Sequence, residues 1–296
     1  MDSRIQAAAE RWSRPIQPGK LRWWQSPTIL AHLNKVVCGT ALQGPWMGLN
    51  KRIEEIAPNG FDRAISIGCG AGAKELQLIN TGLVKHFDLY EISPTRVDQG
   101  KRLAHQQAVS DRVSFFTENA FDKKLGSYEL VYWNNALHHM LDVEAAIAWS
   151  REHLVPGGWF VMDDFVGPSR FQWSDENLSH ATRVRSLLPD RFLYNPADLS
   201  QKLPIEIRRP TVESMIKDDP TEAADSDRIV SSVKKMFPNA VVIPTGGALY
   251  NLALNDVIAH FDESSEDLSL LQSILMSDEL LAHAGMTHYA TAFAQR

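Results

Sequence analysis

Cysteine is scarce in this sequence, and its scarcity excludes two kinds of structure. The 296 residues include two cysteines, Cys38 and Cys69. A disulfide framework or a thiolate metal site needs more thiols than these, so we expect neither, and we predict no bound metal ion. Low cysteine usage is also typical of a reducing compartment, and we therefore expect a cytoplasmic protein.

Long apolar runs are missing as well. The N-terminus, MDSRIQAAAERWSRP, lacks the apolar core of a signal peptide. The longest uncharged stretch, residues 240–255, is interrupted by Pro244, Gly246 and Gly247. It is shorter than the roughly 20 apolar residues that a membrane-spanning helix needs. We therefore predict no association with a membrane.

An excess of positive charge is the third absence. Lys and Arg number 30 against 36 Asp and Glu, which gives a formal net charge of −6. Nucleic-acid-binding domains usually carry a basic surface, so we expect no nucleic-acid partner. The 44% hydrophobic content is ordinary for a globular protein, whose length allows one large domain or two small ones. A homodimer is left open.

Strand and helix patterns alternate through the middle of the chain. Strands are predicted near residues 63–68, 86–91, 112–117, 128–133 and 158–164, with helices near 72–80, 94–108 and 143–154. This alternation predicts an α/β fold with a parallel sheet covered on both faces. Later segments predict helices near 225–236, 253–263 and 266–284, and strands near 240–243 and at the C-terminus. The first sixty residues are predicted to be helical, with Ser26 capping a helix that begins at Pro27.

A glycine-rich loop follows the first predicted strand. The residues from Gly68 to Ala73, GCGAGA, fit G-x-G-x-x-A, the dinucleotide fingerprint, and equally G-x-G-x-G, a loop for another adenosine cofactor. In both cases the glycines let the backbone approach a ligand at the following helix N-terminus. Glu91 ends the second strand about twenty residues later, where an acid can hold ribose hydroxyls. These residues alone do not separate an NAD site from the alternative.

Three later segments do separate them. They are RVSFFTENAFD, YELVYWNNALHHMLD and LVPGGWFVMDDF, which occur in this order between residues 112 and 165. Together with the glycine loop they strongly resemble the class I S-adenosylmethionine-dependent methyltransferases, including the small-molecule enzymes with a Leu-His-His segment after strand four. The resemblance implies a seven-stranded, mostly parallel sheet with helices on both faces. It also implies a helical cap over residues 1–60 and a cofactor domain over 61–296, with helical insertions at about 166–224 and 253–284.

The resemblance assigns cofactor roles to particular residues. Glu91 would hold the ribose of S-adenosylmethionine, Ile92 would pack on the adenine, and Asn134 would lie beside the methionine end. The remaining implied cofactor residues are Gly68, Gly70, Gly72, Asn119 and Ala120. The family usually has Asp where this chain has Asn119, but an amide can also hydrogen-bond adenine. An NAD-dependent oxidoreductase remains the alternative, although no Tyr-x-x-x-Lys pair supports it.

Methyl transfer to a hydroxyl requires a base, whereas a carboxylate or soft amine needs none. His138 and His139 follow strand four, at the edge where parallel sheets bind ligands, and Asp163 and Asp164 end strand five. We predict His138, His139 and Asp164 as catalytic residues, with His138 the preferred base. Two adjacent acids without a third ligand are too few to predict Mg²⁺.

Four further residues are predicted to contact the acceptor: Trp24, Arg170, Gln172 and Trp173. The segments RWWQSPTIL, DDFVGPSRFQW and RRPTVESM resemble bacterial methyltransferases of glycan or secondary-metabolite pathways. That resemblance implies a hydroxyl or amine acceptor on a polar small molecule, such as a sugar or a secondary metabolite. A catalytically inactive module that binds S-adenosylmethionine is a further alternative.

Overall fold

The computed structural model describes residues 2–14, 22–262 and 264–296. The helices are α1 Ser3–Trp12, α2 Pro27–Cys38, α3 Met47–Ile56, α4 Ala73–Asn80, α5 Pro94–Gln106, α6 Val143–Glu152, α7 Asp175–Leu187, α8 Val212–Asp218, α9 Ile229–Met236, α10 Tyr250–Ala253 and α11 Ser265–His283. The strands are β1 Phe61–Ile67, β2 Val84–Tyr90, β3 Val113–Phe116, β4 Tyr128–Asn134, β5 Leu154–Phe165, β6 Tyr194–Asn195, β7 Asp198–Lys202, β8 Val241–Gly246 and β9 Tyr289–Gln295.

Seven strands form one sheet in the order β3-β2-β1-β4-β5-β9-β8. The strands β1 to β5 pair in parallel, and β9 runs antiparallel to both β5 and β8. The predicted seven-stranded, mostly parallel sheet is therefore confirmed. The strand order reverses between β1 and β4, and open α/β sheets bind their ligands outside the carboxyl ends of the strands at such a point.

Helices bury both faces of the sheet. On one face, β4 and β5 pack against apolar side chains of α6 and α9, including Ile147 and Val233. On the other face, α3, α4 and α5 pack against β1 and β2, through residues such as Ile53 and Leu76. A parallel strand covered on both sides is buried on both faces, which is why the centre of β4, residues 130–133, is a continuous run of apolar and aromatic side chains.

A third apolar cluster lies outside the sheet. Buried side chains of α2, α10 and α11 join those of residues 188–193, among them Ile29, Phe192, Tyr250 and Leu275. The start of α2 agrees with the sequence prediction, because the Ser26 hydroxyl accepts from the Ile29 N–H and Pro27 is the first helical residue. The predicted division into a cap, a cofactor domain and insertions stays a prediction.

Several predicted boundaries need correction. Residues 253–263 do not form one helix: α10 ends at Ala253 and a short 3-10 turn covers Val257–His260, because Asp256 has a φ of 67°. Strand β5 begins at Leu154 and not near residue 158, because the segment from Pro156 to Gly158 is part of it, although the register between β4 and β5 shifts there. Strands β6 and β7 form a separate small hairpin that the sequence pattern did not predict. Within the described ranges, no helix is both long and apolar enough to cross a bilayer.

Candidate active site

The glycine loop turns the chain sharply from β1 into α4. Gly68, Gly70 and Gly72 have φ values of 67°, 59° and 71°, in the left-handed region that favours glycine. The Gly68 N–H donates to the Tyr90 carbonyl at 2.8 Å, which ties the loop to the end of β2. A Cβ on Gly70 would meet no atom within 4 Å, so the loop faces open space there. The loop is thus shaped as a cradle for a ligand.

Glu91 follows β2 and closes the other side of this cradle. Its Oε2 accepts from the Gly70 N–H at 2.9 Å, and its Oε1 accepts from the Ser93 N–H at 2.8 Å. Burial raises the pKa of Glu91, and the two backbone N–H groups oppose that rise. Each carboxylate oxygen keeps a free lone pair, so the side chain can also accept from ribose hydroxyls.

A cavity of about 780 Å³ lies over the loop. It is large enough for a nucleoside cofactor. Six of the predicted cofactor residues line it: Gly68, Gly70, Glu91, Ile92, Asn119 and Ala120. Asn119 caps the turn at Ala120–Asp122, where its Oδ1 accepts from the Phe121 N–H and its Nδ2 donates to Asp122. The loop, the buried acid and the cavity together fit an adenosine cofactor.

Two predicted cofactor residues lie outside the lining of this cavity. Gly72 caps the N-terminus of α4 and would place a Cβ within 3.0 Å of Leu89. The Asn134 amide is buried and donates to the Tyr132 hydroxyl at 2.7 Å. Its neighbour Asn135, whose φ is 52°, lines the cavity instead. The difference arises because β4 ends at Asn134, and the left-handed backbone of Asn135 turns the chain away from the strand.

Asp164 organises the turn after β4. Its Oδ2 accepts from the backbone N–H groups of Ala136 and Leu137 at 2.9 and 2.8 Å. Its Oδ1 lies 2.5 Å from Nδ1 of His138. Burial would raise the pKa of this carboxyl, but the adjacent His138 outweighs burial and holds the pKa below its usual value. An ionised Asp164 can only accept, so His138 Nδ1 carries a proton and donates it.

His138 presents its other ring nitrogen to open space. Because Nδ1 donates to Asp164, Nε2 holds the lone pair of the neutral ring. Burial disfavours the charged imidazole, but Asp164 and then Glu222 outweigh it, and the pKa of His138 is raised. Glu222 Oε1 lies 3.6 Å from Nε2. A buried carboxylate that orients an imidazole in this way is the arrangement of a general base.

His139 has a different environment. Its Nδ1 lies 3.2 Å from the Thr221 hydroxyl, which itself donates to Asp219 at 2.6 Å. Burial, followed by the charge on His138, lowers the pKa of His139 to about 3. His139 is therefore neutral at physiological pH and supports the turn next to His138, whose ring centroid is 4.1 Å away.

His138, His139 and Glu222 each have a ligand-capable atom within 4.8 Å of the others. Among the residues that the structure describes, this is the one such group of three, and it is therefore the place where a metal ion could be held. The same atoms also satisfy the geometry of a base and an adjacent acid. The contact between Asp164 and His138 orients the imidazole for proton transfer and favours this second arrangement.

A second cavity, of about 960 Å³, meets the first at Trp12, Asn135 and His139. His138 lines this second cavity, which we call the acceptor cavity. Asp164 lines neither cavity and acts through His138. The acceptor cavity also contains Trp24 and Trp173, two of the residues predicted to contact the acceptor.

Arg170 and Gln172, the other two predicted acceptor residues, do not line the acceptor cavity. The Arg170 guanidinium donates to the carbonyls of Glu222 and Pro220, at 2.9 and 2.7 Å. The Gln172 amide donates to the carbonyls of Arg170 and Pro210. Arg170 therefore holds the loop that carries Glu222, whereas Gln172 ties its own turn to the segment that precedes α8.

The N-terminal helix α1 covers the junction of the two cavities. Trp12 Nε1 donates to Asp219 at 2.9 Å, and Arg96 donates to the Trp12 carbonyl at 3.1 Å. Sequence reasoning did not find Trp12, Glu222 or Asn135 as site residues. Only Asn135 carried a local signal, the pair of asparagines after β4. The other two reach the site through contacts across more than 80 residues of sequence.

Comparison with known proteins identifies the domain. Residues 65–160 match a family model described as a methyltransferase domain. The chain is 30% identical over 107 residues to 27-O-demethylrifamycin SV methyltransferase of Amycolatopsis mediterranei (strain S699), which is 36% of this chain and 39% of that protein. It is 26% identical over 130 residues to the probable chloroplastic tocopherol O-methyltransferase of Oryza sativa subsp. japonica, 43% of this chain and 33% of that protein. The chain thus spans well under half of the length of these curated relatives.

Solved structures show the same fold over most of the chain. Geranyl diphosphate C-methyltransferase from Streptomyces coelicolor A3(2), crystallised with Mg²⁺, geranyl-S-thiolodiphosphate and S-adenosyl-L-homocysteine, aligns with a TM-score of 0.56 and 14% identity, covering 99% of this chain and 98% of that one. Phosphoethanolamine N-methyltransferase 2 from Haemonchus contortus, with S-adenosyl-L-methionine, aligns with a TM-score of 0.52 and 15% identity, covering 95% of this chain and 61% of that one. These two structures contain S-adenosyl-L-homocysteine and S-adenosyl-L-methionine, respectively; the sequence predicts the same cofactor for this chain.

Proposed function

Because this chain is a class I S-adenosylmethionine-dependent methyltransferase by its fold and its domain family, we propose that it methylates a hydroxyl group of a small molecule. The observation that carries the proposal is the His138–Asp164 pair. Asp164 Oδ1 lies 2.5 Å from Nδ1 of His138, so the Nε2 lone pair faces the acceptor cavity. A hydroxyl acceptor needs a base, and the oriented imidazole of His138 in the acceptor cavity, next to His139 where the two cavities meet, supplies one.

The cofactor, when bound in the 780 Å³ cavity, supplies a methyl group that is already activated for displacement. With that cofactor bound, the acceptor oxygen would form its bond to the methyl carbon as the bond between that carbon and the cofactor's sulfur breaks, and His138 Nε2 would accept the hydroxyl proton. Asp164 stabilises the imidazolium that results and keeps the ring oriented. Glu222, 3.6 Å from Nε2, can accept from the protonated ring.

Exclusion of water is the second task of the chain. The helix α1 covers the junction through the Trp12–Asp219 hydrogen bond. Aromatic side chains of the acceptor cavity, such as Trp173 and Phe165, remove water from the acceptor. Aligning the two reactants in a dry cavity supplies much of the rate enhancement of a displacement reaction.

The curated relatives support oxygen as the acceptor atom, since one is named an O-methyltransferase and the other is named for an O-demethyl compound. Nucleic acid is not part of the proposal. The acceptor cavity is enclosed by aromatic and acidic side chains, which suits a small molecule.

The test uses S-adenosylmethionine with a carbon-13 methyl group. Wild-type protein and His138→Gln are incubated with a metabolite extract, and labelled products are detected by mass spectrometry. We expect a labelled product with wild type, whose methyl carbon shift is that of an O-methyl group. His138→Gln should lose about 10²–10⁴-fold in rate.

Calorimetry with S-adenosylhomocysteine is the control for this test. His138→Gln should keep the cofactor affinity of wild type, because His138 does not line the cofactor cavity. An N-methyl or C-methyl product, or undiminished turnover by His138→Gln, contradicts the proposal. Cofactor binding without any labelled product would instead indicate an inactive binding module.

A further inference from the structure

The acceptor cavity is unusually rich in tryptophan. Of the eight tryptophans in the sequence, five line it: Trp12, Trp23, Trp24, Trp46 and Trp173. Such side chains offer large flat surfaces for an apolar body, and their faces also attract cations. The wall of the cavity is therefore suited to a ring-containing molecule that is either neutral or positively charged.

Four carboxyl groups also line the acceptor cavity, and three of them have partners. Asp218 pairs with Arg11 at 3.3 Å. Asp219 accepts from Trp12 and from Thr221. Glu222 lies 3.6 Å from His138 Nε2. Within the described chain, no hydrogen bond or ion pair reaches the carboxyl group of Asp163.

Asp163 and Asp164 are adjacent in β5 but point to opposite faces of the sheet. Asp164 lies on the face that carries His138. Asp163 lies on the other face, opposite Thr291 of β9, and both line the acceptor cavity. The Thr291 hydroxyl is buried, with the residue 1% exposed, and has no hydrogen-bond partner.

The buried Thr291 hydroxyl is costly to leave unpaired, and the half-buried carboxyl of Asp163 is its neighbour across the two strands. Burial, and then the negative charge of Asp164, raise the pKa of Asp163 to about 7, while Lys74 opposes the rise. A buried hydroxyl or carboxyl without a partner costs stability unless a bound molecule satisfies it. The pair therefore indicates a place where a ligand, not the chain, completes the hydrogen bonds.

We propose that Asp163 and Thr291 bind a protonated amine on the acceptor, whose ring-containing body packs against the tryptophans of the acceptor cavity. This proposal deepens the proposed function. It rests on that function in one respect, namely that the molecule in this cavity is the methyl acceptor. An anionic head group is disfavoured, because four carboxyl groups line the cavity against two arginines, Arg11 and Arg22, and Arg11 is already paired with Asp218. The amine binds at Asp163, on the sheet face opposite the His138 base.

The test compares three probes that share one ring system and differ in charge: tryptamine, 3-ethylindole and indole-3-propionate. Each is titrated by calorimetry into protein saturated with S-adenosylhomocysteine. We expect tryptamine to bind at least about tenfold more tightly than either of the other two, as a hydrogen bond to a charged group implies. Asp163→Asn should abolish this preference.

Asp218→Asn is the matched control. It removes a carboxylate from the same cavity, but one that is exposed and already paired with Arg11. It should keep the preference for tryptamine. Thr291→Val removes only a hydroxyl and should reduce the preference without abolishing it, which keeps the test decisive if Asp163→Asn folds poorly.

Equal affinities of the three probes, no measurable binding of tryptamine, or an unchanged preference in both Asp163→Asn and Thr291→Val would overturn the inference. Failure of the proposed function is seen separately. It would appear as absence of S-adenosylhomocysteine binding or of labelled product, neither of which depends on these probes.

Discussion

Replacing Asp164 with Asn tests whether this residue acts by fixing the tautomer of His138. The carboxyl accepts from two backbone N–H groups through Oδ2 and lies against His138 Nδ1 through Oδ1. In Asp164→Asn the amide oxygen can take the Oδ2 position and keep both backbone hydrogen bonds. Its NH₂ group then faces Nδ1 of His138 and must donate to it, which leaves the proton on Nε2.

A His138 ring with its proton on Nε2 cannot accept from the substrate. We expect kcat to fall by about 10³–10⁴-fold, the size of effect found when an orienting acid is neutralised, or about 4–5 kcal/mol in activation free energy. The remaining rate should also change its pH dependence. In wild type, kcat rises with pH as His138 loses its proton, at a pKa raised by Asp164 and Glu222. Without the Asp164 charge, burial dominates and the rise should shift to lower pH.

Stability should change far less than activity. One hydrogen bond is lost, from the His138 N–H to Oδ1 at 3.3 Å, so we expect a loss of about 1–3 kcal/mol in the free energy of unfolding. Steady-state kinetics across pH, S-adenosylhomocysteine calorimetry and thermal unfolding are the measurements. A variant that keeps more than about a tenth of wild-type kcat, against the expected loss, or that loses cofactor affinity in parallel, would refute the reasoning.

Three further substitutions test the rest of the site. Gly70→Ala places a Cβ in the open space of the loop at a φ of 59°; we expect about 1 kcal/mol lower stability and weaker S-adenosylhomocysteine binding by calorimetry, and unchanged affinity would contradict this. Glu91→Gln turns one accepting oxygen into a donor beside the Gly70 or Ser93 N–H. Thermal unfolding should therefore show about 1–3 kcal/mol less stability and a smaller stabilisation by S-adenosylhomocysteine. If S-adenosylhomocysteine raised the unfolding temperature of wild type and variant equally, the assignment of Glu91 would be contradicted. His139→Gln should leave the midpoint of the kcat–pH profile in place, because a pKa of about 3 keeps His139 neutral; a moved midpoint would show that His139 titrates in the active range.

Local patterns in the sequence predicted the cofactor half of the protein well. The helix that begins at Pro27, the glycine loop and the acid after β2 are all specified by neighbouring residues, whose backbone preferences and spacing are visible in one dimension. The loop and Glu91 meet because parallel neighbouring strands end at the same edge of the sheet. Gly70 and Glu91 therefore lie close together because of the strand order, which the alternation of strands and helices in the sequence already implies.

The acceptor half could not be predicted in the same way. The helix predicted over residues 253–263 breaks at Asp256. A positive φ is usually signalled by glycine, but here it occurs at an aspartate. Arg170 and Gln172 were expected at the acceptor, but the backbone carbonyls that they bind come from distant loops. Nothing local to either residue distinguishes a donor that meets a ligand from one that holds a loop.

The sequence by itself determined the fold class and the approach of Glu91 to the glycine loop, because both depend on short-range periodicity, turn chemistry and the order of strands. Only the tertiary structure decided the roles of the two adjacent acids. Strand alternation sends Asp164 behind His138 and Asp163 towards Thr291, on the other face of the sheet. Which face meets which distant residue is a property of packing, and no spacing along the chain encodes it.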